Sequence, residues 1–438
     1  MFGKNFSYSS RSDWPPIKSW LLNRMASDPS VDGPVGDILQ TVRKNGDRAL
    51  VEYTRKFDCQ DFEAENISLN PKLIKESLKN VDRQDLDIIR EAADNIRAFH
   101  QRQKTNSWFT PDRNGAIMGQ MVTPVYRAGL YVPGGRGGET PLISSLLMNA
   151  IPAQVAGVQS ICVLSPPRKD RTLSPYILAT AHILGIDEIY LCGSAWAVAA
   201  MAYGTETINH VDIIAGPGNI FVTMAKKMLV GQVGIDMIAG PSEVAVIADH
   251  TARADYIAMD LLSQAEHDPL AGTYLITTQE KLIDQTRDEL EKQTSLLPRG
   301  DTARRAIKDW GASFLVPDLE KGFELSNSIA PEHFELCVDD PWSYLGLVRN
   351  AGAVFMGSTT PEPVGDYFAG PNHVLPTLST ARFSQALSVQ AFQKNISILS
   401  TSRGYLDKHG SKIARMARLE GLEAHARSVE QRFIKRKN

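Results

Sequence analysis

The chain has 438 residues, of which 43% are hydrophobic and 22% are charged. These ordinary globular values exclude wholesale disorder, and a chain of this length can build its core without disulfides or a structural metal. The 47 lysines and arginines nearly balance the 50 aspartates and glutamates, so the net charge of −3 excludes a broad basic surface for nucleic acid or anionic lipid.

The elements predicted up to residue 130 are mainly helical. A short amphipathic piece lies at residues 17–25, and apolar residues recur at helical spacing from Val35 to Tyr53. Residues 72–104 indicate one or two further helices. After Asn114 the pattern changes to extended segments, which end in the stretch 129–135.

From residue 141 onward, apolar runs alternate with helical patterns in two series. The first series predicts strands at 159–164, 187–192, 211–215 and 235–238, with helices near 141–157, 174–185, 195–203 and 219–229. The second predicts strands at 243–248, 272–277 and 313–316, with helices near 253–266, 278–293 and 319–328. Such alternation is typical of mostly parallel sheets with helices on both faces.

We therefore expect two similar Rossmann-like α/β domains, incomplete and doubly wound, with small helical appendages at both termini. In such domains ligands bind at the carboxyl ends of the strands. The tail at 405–435 is predicted to be helical with a basic end.

The four cysteines include no Cys-x-x-Cys pair, which favours neither a zinc ribbon nor a disulfide framework. No apolar run approaches the roughly 20 residues of a membrane span, and the first residues lack an apolar signal segment. We expect a soluble cytoplasmic protein with reduced, mostly buried thiols.

Three internal segments and one in the tail carry candidate functional side chains. Gln264 and His267 stand three apart at a helix end and can hold one ion, although such a pair alone is typical of a solvated helix face. Glu332 and His333 are adjacent at a predicted turn, where they can act as base and water activator or form a plain surface dipeptide.

The other two segments are less regular. The Gly- and Pro-rich stretch 365–373 predicts a loop that can present Asp366 and His373 to a ligand. The tail segment 420–425 holds Glu420 and His425.

Glycine-rich turns at 134–138 and 215–219 each follow a predicted strand, and the second opens a helix whose amides favour an anion. Neither contains Gly-x-Gly-x-x-Gly, so a standard dinucleotide fingerprint is absent. A third turn, 239–243, joins two strands and is a possible ligand hinge. Taken singly, each is more often a tight turn than a phosphate site.

Together these segments resemble the histidinol dehydrogenase family over roughly residues 30–430. The resemblance rests on segments that occur in the family's order: Tyr131-Val132-Pro133-Gly134-Gly135, Gly216-Pro217-Gly218-Asn219, Gly234–Glu243, Asp260–His267, Ala330-Pro331-Glu332-His333, Gly365-Asp366-Tyr367 and Gly370-Pro371-Asn372-His373. The likeness implies oxidation of L-histidinol to L-histidine through histidinal, with two NAD+ and one zinc ion per site.

The resemblance also implies roles for individual residues. His333 is the implied general base, and Glu332 activates the water that hydrates the aldehyde. The implied zinc ligands are Gln264, His267, Asp366 and His425. The positions that match substrate contacts are these four with Ser242, Glu332, His373 and Glu420. The positions that match cofactor contacts are Tyr131, Asn219 and, with a changed residue, Trp196.

The likeness further implies how the chain is divided. Residues 1–30 would form an N-terminal helical segment, and residues 31–130 with 243–387 a first α/β domain that carries the zinc and catalytic residues. Residues 131–242 would form a second α/β domain on the NAD side. The tail, 388–438, would be exchanged between the subunits of a homodimer.

Two departures fall on the expected NAD side. The chain has Gly193-Ser194-Ala195-Trp196 where the family usually has Gly-Gly-Ala-Gln, and an indole can stack on a cofactor ring or fill a pocket. The loop containing Arg136 is longer than usual, and this arginine can meet a pyrophosphate or an anionic substrate group.

Two alternatives follow. Arg136 motivates a paralogue that oxidises another small polar alcohol such as sulfopropanediol, but the carboxylate of Glu420 suits a cationic amine and repels a sulfonate. A catalytically silent zinc- or nucleotide-binding relative would lack a ligand or a base, and the sequence retains all of them.

Overall fold

The computed structural model describes residues 2–25, 29–112, 115–134 and 140–433. Arg136 and most of the glycine-rich segment 134–138 lie outside the described residues. The chain forms two compact units: Met1–Gln103 with Tyr126–Phe392, and Lys104–Val125 with Gln393–Asn438.

The first unit contains two parallel sheets flanked by helices. Its strands are β1 (Lys4–Ser7), β4 (Arg127–Tyr131), β5 (Ser160–Ser165), β6 (Ile189–Leu191), β7 (Ile213–Ala215), β8 (Gly234–Ile235), β9 (Glu243–Ala248), β10 (Gly272–Thr277), β11 (Gly311–Leu315), β12 (His333–Cys337) and β13 (Ala353–Met356). Its helices are α1 (Trp14–Met25), α2 (Asp32–Phe57), α3 (Pro71–Glu76), α4 (Arg83–Gln101), α5 (Ile143–Ala156), α6 (Pro175–Ile183), α7 (Ser194–Tyr203), α8 (Ile220–Leu229), α9 (Ala254–Ala265), α10 (Glu280–Thr294), α11 (Gly300–Trp310), α12 (Leu319–Ile329), α13 (Pro341–Tyr344) and α14 (Glu362–Val364).

The two sheets share one strand order. The five-stranded sheet runs β6-β5-β4-β7-β8, and the six-stranded sheet runs β1-β11-β10-β9-β12-β13. Apart from the edge strand β1, both follow the order third, second, first, fourth, fifth, which is a Rossmann sheet without its sixth strand. The predicted parallel α/β architecture is therefore confirmed.

Continuous apolar runs explain the central strands. Every residue of β9 and β10 is buried, as expected for parallel strands covered by helices on both faces. One core cluster packs α9, α10 and α11 against one face of the six-stranded sheet, and a second packs α1 and α12 against the other.

Several predicted elements need correction. Residues 1–30 were expected to be helical, but Lys4–Ser7 form β1, which pairs with β11. Strands β12 and β13 were not predicted, because His333 and Glu335 interrupt the apolar pattern. The expected loop at 365–373 begins with a π-helical turn, Gly365–Ala369, that continues α14. Strand β4 crosses the expected domain limit at residue 130 and lies at the centre of the five-stranded sheet.

The second unit combines a small sheet with two helices. Strands β2 (Trp108–Pro111), β3 (Ala116–Pro124) and β14 (Gln393–Thr401) pair antiparallel in the order β14-β3-β2. Helices α15 (Arg403–Leu419) and α16 (Glu423–Phe433) confirm the predicted helical tail. Arg418 holds them together through ion pairs with Glu423 and Glu430. None of the described helices is long and apolar enough to cross a membrane.

Candidate active site

Glu332 and His333 lie at the amino end of β12, between β9 and the edge strand β13 of the six-stranded sheet. Ala330 ends α12 in a left-handed conformation (φ 53°) and turns the chain into the strand. The two side chains are only 5% and 3% exposed. The pair is therefore part of the protein interior, and the interpretation as a surface dipeptide is wrong.

Three carboxylates surround the imidazole of His333. Its Nε2 lies 3.4 Å from Oδ1 of Asp366 and 3.9 Å from Oε1 of Glu362, and its Nδ1 lies 3.8 Å from Oε2 of Glu332. Burial lowers the pKa of His333, but the carboxylates outweigh burial and raise this pKa well above its usual value. The imidazole therefore holds its proton near neutral pH in the site as it stands, and positive charge bound beside the carboxylates would lower this pKa and free the ring to act as a base.

Glu332 is held by the backbone of the neighbouring strand. The N–H of Glu243, the first residue of β9, donates to Oε2 of Glu332 at 2.9 Å. Burial raises the pKa of Glu332 to about 8. A carboxylate with so high a pKa is a much better base than an ordinary glutamate, which suits the activation of water.

Glu362 is a member of the site that sequence reasoning missed. With its amide nitrogen toward Glu362, Gln264 donates to both carboxylate oxygens at 2.8 and 2.9 Å, and its amide oxygen accepts from the N–H of Glu243 at 3.2 Å. Burial raises the pKa of Glu362 to about 7. Glu362 and Asp366 are four residues apart in the sequence, so they lie on one face if the segment is helical. This spacing is the sequence feature that could have predicted Glu362.

A buried ion pair supports this backbone from behind. Nη1 of Arg24, in α1, lies 2.9 Å from Oε2 of Glu243, and both side chains are nearly inaccessible. Arg24 also donates to the hydroxyl of Tyr274 and to the carbonyls of Pro241 and Ser242. Arg24 therefore holds the last three residues of the predicted hinge at 239–243 in place.

Two other predicted residues of the first unit, His267 and His373, lie near Asp366. Asp366 acts electrostatically on both His267 and His373. His267 follows α9 and is exposed, His373 is half-buried, and Ser242 is half-buried just before β9. Glu420 and His425 belong to the second unit, where both are exposed. Their part in the site remains a prediction.

The charge of the cluster fits a divalent cation. Among the described residues, none of the carboxylates of Glu332, Glu362 and Asp366 has an ion pair with lysine or arginine, and His333 is the one basic group paired with them. The oxygen ligands of Glu362 and Asp366 and a nitrogen of His333 lie within 4.8 Å of one another. A bound cation stabilises buried carboxylates, and Asp366 is shared between this group and the zinc ligands that the resemblance implies, so the charge of the cluster fits a cation beside it without making His333 a ligand.

The position of the cluster corrects one expectation. The cluster lies at the amino ends of β9 and β12, whereas ligands were expected at the carboxyl ends of strands. The reason is that α9 returns antiparallel to β9 and so delivers Gln264 to the amino edge. At this edge, the end of α9 carries Gln264, the end of α12 leads into Glu332 and His333, and the segment after β13 carries Glu362 and Asp366.

The predicted cofactor residues do lie at carboxyl ends, in the five-stranded sheet. Tyr131 ends β4, and its hydroxyl accepts from the N–H of Ser194 at 3.0 Å. Gly216, after β7, has φ 124°, and a Cβ there would overlap the carbonyl oxygen of Tyr131. The side chain of Asn219 accepts from two N–H groups at the start of α8. The turn at 215–219 thus lies at the switch point between β4 and β7, where dinucleotides bind in such sheets.

Trp196 cannot stack on a cofactor ring. Its indole stacks with the rings of Tyr53 and Phe57, each 5.6 Å away and within about 21° of parallel. Trp196 is 4% exposed. The stacking hypothesis is therefore wrong, because the indole is almost fully buried and already stacks with two rings of α2. Trp196 fills a pocket between α2 and α7.

Two parallel sheets with a buried acid–base cluster at one sheet edge and a nucleotide-type turn at another define an α/β enzyme. The sequence profile of the histidinol dehydrogenase family matches residues 22–433. The chain is 59% identical to histidinol dehydrogenase of Oleidesulfovibrio alaskensis, over 98% of this chain and 99% of that protein, and 57% identical to that of Nitratidesulfovibrio vulgaris, over 97% of both. The crystal structure of histidinol dehydrogenase from Elizabethkingia anophelis superposes with a TM-score of 0.90 at 35% identity, covering 98% of this chain and 97% of that one. The chain belongs to the histidinol dehydrogenase family and is an oxidoreductase.

Proposed function

We propose that this chain oxidises L-histidinol to L-histidine through histidinal, reducing two NAD+, in histidine biosynthesis. The observation that carries the proposal is the buried pair of Glu332 and His333 beside Glu362 and Asp366, in a chain that matches the family over nearly its whole length. Two proton acceptors of different kinds suit a reaction with two different oxidation steps.

His333 and Glu332 divide the proton transfers. In the first step, Nε2 of His333 takes the hydroxyl proton of the alcohol while hydride leaves the carbon for NAD+. In the second, Glu332 takes a proton from water as its oxygen adds to the aldehyde, and the resulting diol loses the second hydride. The first step yields one NADH and one proton, and the second yields one NADH and two protons, because the carboxylic acid that forms ionises.

Zinc and the rest of the substrate are held by the surrounding residues. Gln264, His267 and Asp366, with His425 of the partner subunit, would hold the zinc ion. When bound, zinc supplies a positive charge and open positions that orient the imidazole and amine of the substrate. Ser242, His373 and Glu420 are proposed substrate contacts, and Tyr131 and Asn219 proposed contacts to NAD+. The exchange of Glu420 and His425 makes the functional unit a homodimer in the cytoplasm.

The structure disfavours the sulfonate alternative. Glu332, Glu362 and Asp366 can accept hydrogen bonds from the ammonium of histidinol, whereas among the described residues no lysine or arginine pairs with this cluster to hold a sulfonate. Arg136, which motivated the alternative, lies outside the described residues.

A substrate comparison tests the proposal. Purified protein is given NAD+ with L-histidinol or with sulfopropanediol, before and after removal of metal by a chelator. We expect two NADH per histidinol, loss of turnover on chelation and recovery with zinc. Asp366→Asn should resist recovery, whereas Asp288→Asn, an exposed control in α10, should behave as wild type. Turnover of sulfopropanediol without turnover of histidinol would overturn the proposal.

A further inference from the structure

Asp58, the residue directly after α2, carries a buried carboxylate oxygen without a partner. Its Oδ2 is inaccessible to solvent and makes no hydrogen bond within the described parts of the chain. Burial raises the pKa of this carboxyl to about 6, so it is ionised near neutral pH. A buried charged oxygen without a donor is unfavourable for the folded protein, which calls for a ligand that supplies the donor.

The carboxylate lies where three strands of the five-stranded sheet end. Oδ2 of Asp58 is 3.3 Å from the position that a Cβ of Gly193, after β6, would occupy, and Pro166, after β5, borders the same space. The charge of Asp58 is also felt by Tyr131 at the end of β4. Asp58 therefore faces the carboxyl edge formed by β4, β5 and β6.

Glycine at position 193 lets the chain pass close to Pro166 and Asp58. A Cβ there would lie 2.8 Å from the Cβ of Pro166, closer than side chains pack. The following residue, Ser194, opens α7 and has φ 47°. The carboxylate of Asp58 thus lies beside the start of α7, at the sheet edge where the predicted cofactor residue Tyr131 ends β4.

In a Rossmann sheet the acid that follows the second strand binds the adenosine ribose of NAD+. The second strand here is β5, and the acid after it, Asp170, is exposed and already accepts hydrogen bonds from Thr172. Asp58 lies at the end of the same strand but comes from α2. The position that the fold reserves for ribose recognition is thus filled from a different element.

We propose that Asp58 accepts hydrogen bonds from the 2′- and 3′-hydroxyls of the adenosine ribose of NAD+ and repels the 2′-phosphate of NADP+. Two hydroxyl donors match the two oxygens of one carboxylate, and a phosphate in the same place would meet a buried negative charge. The inference rests on the proposed use of NAD+. It adds the residue that decides between the two nicotinamide cofactors.

The test combines cofactor kinetics and binding. For Asp58→Asn we expect KM for NAD+ to rise roughly tenfold and the NAD+ to NADP+ ratio of kcat/KM to fall by at least about tenfold. The KM for histidinol should not change. Asp61→Asn, an exposed aspartate three residues further on, is the matched control and should keep wild-type values. Calorimetric titration with AMP and with 2′-AMP measures the preference for a ribose without a 2′-phosphate directly, without turnover.

Two results separate the possible failures. If wild type binds AMP more tightly than 2′-AMP and Asp58→Asn does so by the same ratio, the inference is wrong although the proposed function stands. If wild type reduces no NAD+ with histidinol, the proposed function fails instead. A purely structural role of Asp58 predicts a lower melting temperature of Asp58→Asn with unchanged cofactor preference, whereas we expect an equal or higher melting temperature.

Discussion

Replacement of Arg24 by methionine tests how the site is supported. Methionine keeps much of the apolar stem but removes the guanidinium, so the carboxylate of Glu243 loses its partner at 2.9 Å. The two side chains are 1% and 3% exposed, so water cannot replace the lost partner. The ion pair between Arg24 and Glu243 is therefore fully buried.

The size of the effect follows from this burial. Breaking a buried ion pair from one side costs about 3–5 kcal/mol, and we expect that loss in the free energy of unfolding at pH 8. Glu243→Gln in addition to Arg24→Met removes the stranded charge and should restore a large part of the loss. The control Arg48→Ala breaks an ion pair with Glu52 whose side chains are 81% and 53% exposed, and it should cost at most about 0.5 kcal/mol.

Urea denaturation followed by circular dichroism gives these differences, and steady-state NADH production gives the consequence for catalysis. The backbone N–H of Glu243 holds Glu332, so the Arg24 variant should also lose kcat by roughly tenfold or more. An Arg24→Met protein within about 1 kcal/mol of wild type at pH 8 would refute the reasoning.

Three further predictions concern single residues. Glu332→Gln should slow oxidation of histidinal by roughly a hundredfold or more while the first hydride transfer continues, and a fall from two NADH to one per histidinol in a single turnover measures this. Wild-type kinetics with histidinal would contradict the role in water activation. Trp196→Ala should lower the free energy of unfolding by about 3–5 kcal/mol and leave KM for NAD+ unchanged, because the indole packs against α2. A selective loss of NAD+ affinity in a stable variant would speak against this packing role. The pKa of Asp58 is raised to about 6, whereas the raised pKa values of its neighbours Tyr131 and Cys192 keep those two groups neutral near pH 6. The KM of the wild type for NAD+ should therefore rise as the pH falls through 6, because Asp58 becomes protonated. The same profile in Asp58→Asn would disprove the link.

Much of the fold follows from apolar periodicity. The central strands β9 and β10 are continuous buried runs, and the helices after them show their period plainly. Strand β12 was missed because its inward polar residues, His333 and Glu335, serve the site and interrupt the pattern. Strand β1 was missed because an edge strand that is largely exposed carries no apolar run.

The sequence singled out Gln264, Glu332, His333 and Asp366, which the structure brings close to Glu362, but it did not show where in the fold they meet. Sequence spacing puts Gln264 and His267 on one helix end, yet nothing local shows that this end meets the amino edge of β12. Glu362 stayed hidden because glycine and proline around it suggested a loop. The environment of Trp196 depends on Tyr53 and Phe57, about 140 residues earlier in the chain, and such a contact leaves no periodic signal.

The most direct test of the central claim is a crystal structure of the zinc-loaded protein with L-histidinol, with anomalous scattering measured at the zinc edge. We expect one anomalous peak per subunit, bound by Gln264, His267 and Asp366 and by His425 of the partner subunit, with the substrate alcohol facing His333. A zinc peak remote from Asp366, or a substrate hydroxyl remote from His333, would contradict the account.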